Sequence, residues 1–196
     1  MTIETRAPVF TPMDSSKWAL TGISDHYDAL TGLLCRSVLD SDIRAPALSG
    51  RELVIVMVEL DQFSRFNREH GRAIGDFVLA MTANRLTGIR QRWDSRCYRY
   101  DGDCFVQLLL TDAPVDGESL KTLSLDIQQA LKPGIHLADQ LIELTCTVTA
   151  AITMGSAPLS QVLAEAQRYS NSMKYQGVGQ LHILNFDQEL KAKACG

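Results

Sequence analysis

The stretch CYRYDGDCFVQLLL, residues 97–110, holds two β-prone runs, Cys97–Tyr100 and Cys104–Leu110, joined by Asp101-Gly102-Asp103. An Asp-Gly step between such runs is a hairpin signal, because glycine accepts the positive φ that a tight turn demands. Working outward, Leu53–Leu60 (LVIVMVEL) is short and almost wholly apolar, as expected of a strand buried on both faces. Leu79, Ala83 and Leu86 recur at helical spacing and predict an amphipathic helix over roughly Ala73–Arg90. Leu120, Leu123, Ile127 and Leu131 predict another, stopped by Pro133-Gly134. Leu144–Ile152 reads as a strand, Leu159–Met173 as a helix and Leu181–Phe186 as a last strand. This order implies an α/β or α+β domain, with helices packed on a mostly antiparallel sheet.

The chain has 196 residues, 45% hydrophobic and 21% charged. That suits one globular domain and excludes a mainly disordered chain. Residues 1–24, with Pro8, Pro12 and Asp14-Ser15-Ser16, read as an arm with a short helix at Lys17–Leu20. The domain is expected over 25–190 and a tail over 191–196. No apolar run approaches the ~20 residues of a membrane span, and Met1–Asp14 has no apolar core of a secretory signal. A net charge of −4 argues against general nucleic-acid binding. Five cysteines (Cys35, Cys97, Cys104, Cys146 and Cys195) without a CxxC spacing read as reduced thiols of a cytoplasmic protein. His26, His70, His136 and His182 are too scattered for a zinc site. Eight of the 13 arginines lie between Arg65 and Arg99. They form either a local anion grip or a solvated helix face with ordinary ion pairs.

Acidic residues gather where a sheet edge would expose them. Glu59 and Asp61 end the apolar strand, and Asp101 and Asp103 occupy the hairpin turn. If the hairpin pairs beside that strand, these carboxylates converge. Converging carboxylates suit Mg²⁺, a hard cation that shares oxygen ligands with phosphates. Acidic residues at strand ends and turns are also common without a metal.

Several spaced motifs then resemble the GGDEF domain, the diguanylate cyclase family. Asp28-Ala29-Leu30-Thr31-Gly32-Leu33, closed by Arg36, resembles the family's DxLTGL motif. Glu59-Leu60-Asp61-Gln62-Phe63, Phe66-Asn67, Gly71, Gly75-Asp76 and Leu79 follow its D-x-D-x-F…N…G…G-D…L stretch. Arg99-Tyr100-Asp101-Gly102-Asp103-Cys104-Phe105 falls where R-Y-G-G-D-E-F is expected, and Lys174 and Gly177 match a late K-x-x-G. The resemblance runs from about Asp28 to Phe186, and several motifs in order make it specific. It implies a palm-like, mostly antiparallel sheet flanked by helices, akin to the nucleotidyl cyclases. It also implies a dimer that condenses two GTP to cyclic di-GMP with two divalent metals.

Carried over position by position, the resemblance makes Asn67 and Asp76 the guanine-binding pair. A carboxylate suits guanine's N1–H and N2–H donors, and an amide complements the purine edge. The plainer alternative is that both cap the helix near Ala73. Gly102 and Lys174 join them as nucleotide-binding residues, Lys174 being otherwise an ordinary exposed helix lysine. Glu59, Leu60 (through its carbonyl) and Asp103 would hold Mg²⁺ or Mn²⁺ if nucleotide is bound. Asp103 would be catalytic in an active enzyme.

The departures from the family pattern fall at the reacting end. Glu59 stands for Asp, and its extra methylene moves the oxygens by ~1.5 Å against strict Mg²⁺ geometry. Cys104 takes the signature's Glu position, where a thiol is a poor Mg²⁺ ligand. Asp101 replaces the first glycine and opposes a phosphate by its charge. Ser64 and Val178 stand where the family has basic residues. In the inhibitory RxxD motif, Arg92 is present but Ser95 replaces Asp, and Asp94 comes one residue early. Arg90 and Arg96 remain either as grips for an anionic dinucleotide or as a charged helix face.

The resulting expectation is a degenerate, catalytically inactive GGDEF domain. It would bind GTP or cyclic di-GMP, or a separate protein partner, with a homodimer as a further assembly. The alternative is an active cyclase with a divergent signature. Only about 24 residues precede the DxLTGL motif, so control by an input domain within this chain is not expected.

Overall fold

The structure, a computed structural model, describes residues 26–44, 52–93, 95–111, 115–137, 140–153, 158–173 and 177–185. In chain order the elements are β1 (Leu34–Cys35), α1 (Arg36–Asp42), β2 (Glu52–Leu60), α2 (Phe63–His70), α3 (Arg72–Trp93), β3 (Ser95–Asp101), β4 (Cys104–Thr111), α4 (Gly117–Leu131), β5 (Ile135–Leu137), β6 (Gln140–Ile142), β7 (Cys146–Thr153), α5 (Leu159–Met173) and β8 (Leu181–Asn185). Six strands form one sheet in the order β1-β3-β4-β2-β7-β8, and β5 and β6 form a separate hairpin. The three inner pairings are antiparallel, while both edges, β1 on β3 and β8 on β7, are parallel.

The apolar run predicted as a doubly buried strand is β2, with β4 on one side and β7 on the other. Its side chains alternate between two cores, as strand geometry requires. Val54, Val56 and Val58 join Leu79, Ala83 and Leu86 of α3 and Leu120, Leu123 and Ile127 of α4. Leu53, Ile55 and Met57 join Val38 and Leu39 of α1 and Val162, Leu163 and Ala166 of α5. Each fully buried aliphatic side chain contributes about 1.5–3 kcal/mol, so the strand is the centre of both cores.

The hairpin is tighter than Asp101-Gly102-Asp103. Asp101 still pairs with Cys104, after a bulge between Arg99 and Asp101, so the turn itself is Gly102-Asp103, with Gly102 at φ +38°. α2 and the β5–β6 hairpin are short elements that the sequence reading did not include. The first has only Phe63 and Phe66 as buried apolar anchors, and each strand of the second has three residues. The arm 1–24, the tail 191–196 and Phe186 lie outside the described residues. No described helix is long and apolar enough to cross a membrane.

Part of the arginine concentration is spent on structure. Arg85 donates to the carbonyls of Leu131, Pro133 and Gly134 and so closes the C-terminal end of α4. Arg96 pairs with buried Asp42 at 3.1 Å, and Tyr98 donates to the same carboxylate at 2.6 Å. Arg65 pairs with Glu69 on the exposed side of α2. Arg68 and Arg72 are exposed at the α2–α3 corner.

Candidate functional site

The register of β2 on β4 sets Glu59 directly opposite Cys104, and the Leu60 N–H donates to the Asp103 carbonyl at 3.2 Å. The hairpin therefore does lie beside the end of β2, but the four carboxylates do not all meet. Glu59 is 8% exposed, faces α5 and accepts a hydrogen bond from Ser170 at 3.1 Å. Asp103 is half-buried in the turn, and Asp101 is exposed at the end of β3. Asp61 turns to the other neighbour of β2. Its carboxylate accepts from Thr145 Oγ1 (2.6 Å), Thr147 Oγ1 (2.7 Å) and the Gly179 N–H (2.7 Å). Three donors make Asp61 a clamp between β2, β7 and the loop before β8, while it lines one cavity with Asp103.

Cys104 is 4% exposed and belongs to the core under α5. Its thiol lies 4.0 Å from the Phe105 carbonyl as a donor. A thiol in an apolar core offers no hard oxygen ligand. Glu59 is already partnered by Ser170, and among the described residues no group of three or more acidic, histidine or cysteine side chains is placed to hold a metal. Of the donor set expected for Mg²⁺ or Mn²⁺, Glu59 accepts from Ser170, Asp103 is half-buried in the turn, and the Leu60 N–H is bonded to the Asp103 carbonyl.

Behind the turn, Arg99 stacks on Phe105, with its guanidinium carbon 4.9 Å from the ring centroid. Burial pushes its pKa below the usual value, against the opposing pull of Asp28, Asp103, Cys104 and Asp101. Arg99 Nε and Nη1 have no hydrogen-bond partner. The Asp28 charge is fixed by the local turn. Its carboxylate accepts from the Thr31 N–H (2.9 Å) and Oγ1 (2.6 Å), and Gly32 follows at φ +68°. The DxLTGL motif is thus a side-chain-closed turn that sets one acidic group toward Arg99.

Where β2 passes into α2, Gln62 adopts φ +54°, the only non-glycine positive φ among the described residues. This αL residue, which costs about 1–2 kcal/mol, turns the chain so that α2 starts beside the hairpin. A cavity of about 210 Å³ opens there, walled by Leu60, Phe63, Ser64, Asp103 and Val178. Asn67 lies one turn further along α2. The Asn67 Oδ1 atom is buried and has no hydrogen-bond partner. A Cβ on Gly75 would stand 1.8 Å from that oxygen, so glycine is what lets α2 and α3 close around the amide. Asp76, the next residue of α3, is exposed. Neither residue caps a helix: Asn67 lies inside α2, whose C-cap is Gly71, and Asp76 lies inside α3.

Lys174 lies outside the described residues. Gly102 is exposed at the tip of the hairpin. Arg92 is in the last turn of α3, and the side chains of Arg90 and Arg92 are outside the described set, as is Asp94. Ser95 is 2% exposed and opens β3, so its hydroxyl presents nothing to a ligand in solvent. Arg96 is held by Asp42 and is not a loose grip for a dinucleotide. Reading the sequence missed Ser170, Thr145, Thr147 and Gly179. Their only signal is spatial: Ser170 meets Glu59 across 111 residues.

A mixed sheet with an antiparallel centre, helices on both faces and a hairpin turn set against the end of the central strand is the α/β architecture of GGDEF structures. The chain belongs to the GGDEF family: the profile described as "Diguanylate cyclase, GGDEF domain" matches residues 25–180. It is 28% identical over 151 residues to diguanylate cyclase DgcZ of Escherichia coli (strain K12), covering 76% of this chain and 50% of that protein. The chain spans half or less of the length of the first curated relatives it matches. Among solved structures, the coiled coil and GGDEF domain of DgcB from Caulobacter crescentus, in complex with c-di-GMP, superimposes with a TM-score of 0.71. It is 18% identical, with 81% of this chain and 85% of that one covered. Diguanylate cyclase SiaD of Pseudomonas aeruginosa, in complex with its activator SiaC, gives 0.70 at 21% identity, with 80% and 61% covered.

Proposed function

We propose that this GGDEF domain is degenerate at its reacting end, binds a guanine nucleotide without condensing it, and acts through a separate protein partner. The observation that carries the reading is the pairing of Glu59 with Cys104. The position that should complete an acidic pair is a thiol buried in the core under α5. Asp101 at the turn adds a negative charge where phosphates would approach. The base end supports retained affinity. Asn67 keeps an amide packed against Gly75 of α3, Asp76 keeps an exposed carboxylate one residue further on, and guanine's Watson–Crick edge offers N–H donors to such groups. Among the structural neighbours, one holds cyclic di-GMP and another a protein activator, so both kinds of partner are precedented in this fold. The functional unit proposed is residues 25–190, working in the cytoplasm.

The test is incubation of the purified chain with GTP and Mg²⁺, and separately Mn²⁺, with chromatography for cyclic di-GMP. Calorimetric titration with GTP and with cyclic di-GMP follows on the same preparation. No product, with guanine-nucleotide binding lost in Asp76→Ala, is the expected result. Formation of cyclic di-GMP overturns the reading and makes Glu59 and Asp103 the groups to substitute next. No binding of either nucleotide leaves a protein-interaction scaffold alone.

A further inference from the structure

We propose that a cavity between α4 and the start of β7 binds a small apolar molecule carrying one carboxylate. The cavity measures about 350 Å³ and shares no described lining residue with the 210 Å³ cavity beside the hairpin turn. One face of α4 and its C-cap forms a wall: Leu125, Gln128, Gln129 and Lys132 recur at i, i+3, i+4 and i+7, and all four line it. Leu131, Leu144 and Cys146 back it against the core beneath α3 and α4. Burial and the Asp61 charge push the Cys146 thiol up to about 12, so this floor is uncharged. Leu125 is 38% exposed, whereas Leu120, Leu123 and Leu131 of the same helix are buried.

The walls are fixed before any ligand arrives. Thr145 donates its hydroxyl to Asp61, and Gly179 donates its N–H to the same carboxylate. The Gly179 carbonyl accepts from Gln128 Nε2 at 3.1 Å, which ties α4 to the loop before β8. A cavity already in shape loses little conformational freedom when filled. Small-molecule sites run from roughly 300 to 1,000 Å³, apolar with a few placed polar groups, so this one takes a small ligand. The charge at the end of α4 is positive. Arg85 donates to the carbonyls of Leu131, Pro133 and Gly134 and so offsets the negative end of the helix dipole. The exposed Lys132 ammonium at that end is then the group that meets an anionic head. The Asp61 carboxylate behind Thr145 and Gly179 is already met by three donors. An apolar body over Leu125 and Leu144, with a carboxylate at Lys132, satisfies both parts of the lining.

The experiment is titration of the whole chain with octanoate and with octanol, followed by NMR of assigned leucine methyl groups. Octanoate is expected to shift the methyls of Leu125 and Leu144 saturably and to bind about threefold more tightly than octanol, the size of one exposed ion pair. Lys132→Gln is expected to erase that preference and leave octanol binding unchanged. Leu125→Asp, at an exposed position, is expected to weaken both ligands at least about tenfold. Gln129→Trp, which fills the mouth from a second exposed position, is expected to do the same, and thermal melts of both variants separate lost binding from lost folding. No saturable shift, or shifts confined to leucines outside the cavity, overturns the proposal. So does binding that neither Leu125→Asp nor Gln129→Trp weakens. Octanol bound as tightly as octanoate, with Lys132→Gln without effect, overturns the carboxylate and with it the proposed ligand class.

Discussion

The two ends of the candidate site differ in how fully their polar atoms are satisfied. At the reacting end, Asp61 is filled by three donors, Glu59 holds Ser170, and Cys104 is packed into the core. At the base end, one turn of helix away, Asn67 Oδ1 is buried with no partner. Buried polar atoms are almost always paired; this one lies against Gly75 of α3, and behind the hairpin the Arg99 Nε and Nη1 are likewise without a partner. Side chains already bonded to the scaffold have been converted to framework. The same α2 therefore joins a bonded framework region to the amide proposed to meet the base.

The sharpest way to break this contrast is Asp61→Ala. It strands the Thr145 and Thr147 hydroxyls and the Gly179 N–H, and it is expected to lower the unfolding free energy by about 3 kcal/mol in urea melts. A loss near zero would mean that the clamp is dispensable. Gly75→Ala comes next. Its Cβ would clash with Asn67 Oδ1, so it is expected to cost about 1–3 kcal/mol and to abolish guanine-nucleotide binding in calorimetry. Retained binding would detach Asn67 from the base. Cys104→Ala removes one sulfur from a packed core and is expected to cost about 1 kcal/mol, with nucleotide affinity unchanged.

Two smaller effects depend on pH. Burial, with the Asp61 charge, pushes the Cys146 thiol up to about 12, so in the folded protein it should stay unlabelled by thiol reagents at pH 8. Its contribution to stability is present below the ordinary thiol pKa and is lost as the pH rises toward 12. Burial also raises the Asp42 carboxyl, with Tyr98 and Arg96 pulling the other way. A raised carboxylate favours folding most below its unfolded pKa, and that share declines as the pH rises through the folded value. The stability of the wild type relative to Asp42→Asn should therefore fall as the pH rises from the acid side of that carboxylate's titration. The opposite slope would mean that Tyr98 and Arg96 outweigh burial.

Much of the fold was legible because its centre is written locally. An eight-residue, almost wholly apolar run makes up all but the first of the nine residues of β2, the glycine of an Asp-Gly step opens the β3–β4 turn, and spaced leucines mark α3 and α4. α2 was not, since its two buried anchors, Phe63 and Phe66, span little more than one turn of an eight-residue helix. The parallel edge pairings were not either, because strand order between remote segments leaves no mark in composition. For the site, motif spacing located Glu59, Asn67, Asp76 and Cys104. It did not reveal that Asp61 belongs to β7 and Gly179, because hydroxyls 84 and 86 residues away have no signature until the sheet forms. Asp101, read as turn, proved to be the last rung of β3 because a bulge takes up one residue.

The placement of β2 at the centre of the sheet also governs how the chain is born. Both of its neighbours come later: β4 starts at Cys104 and β7 at Cys146, whereas β2 ends at Leu60. At ~5–20 residues per second on a ribosome, the second neighbour emerges roughly 4–17 s after β2. Throughout that interval the most apolar segment of the chain has an open edge. Nascent chains of this topology are natural clients for a ribosome-bound holdase, and slowing translation between β2 and β7 should increase aggregation before it affects the finished fold.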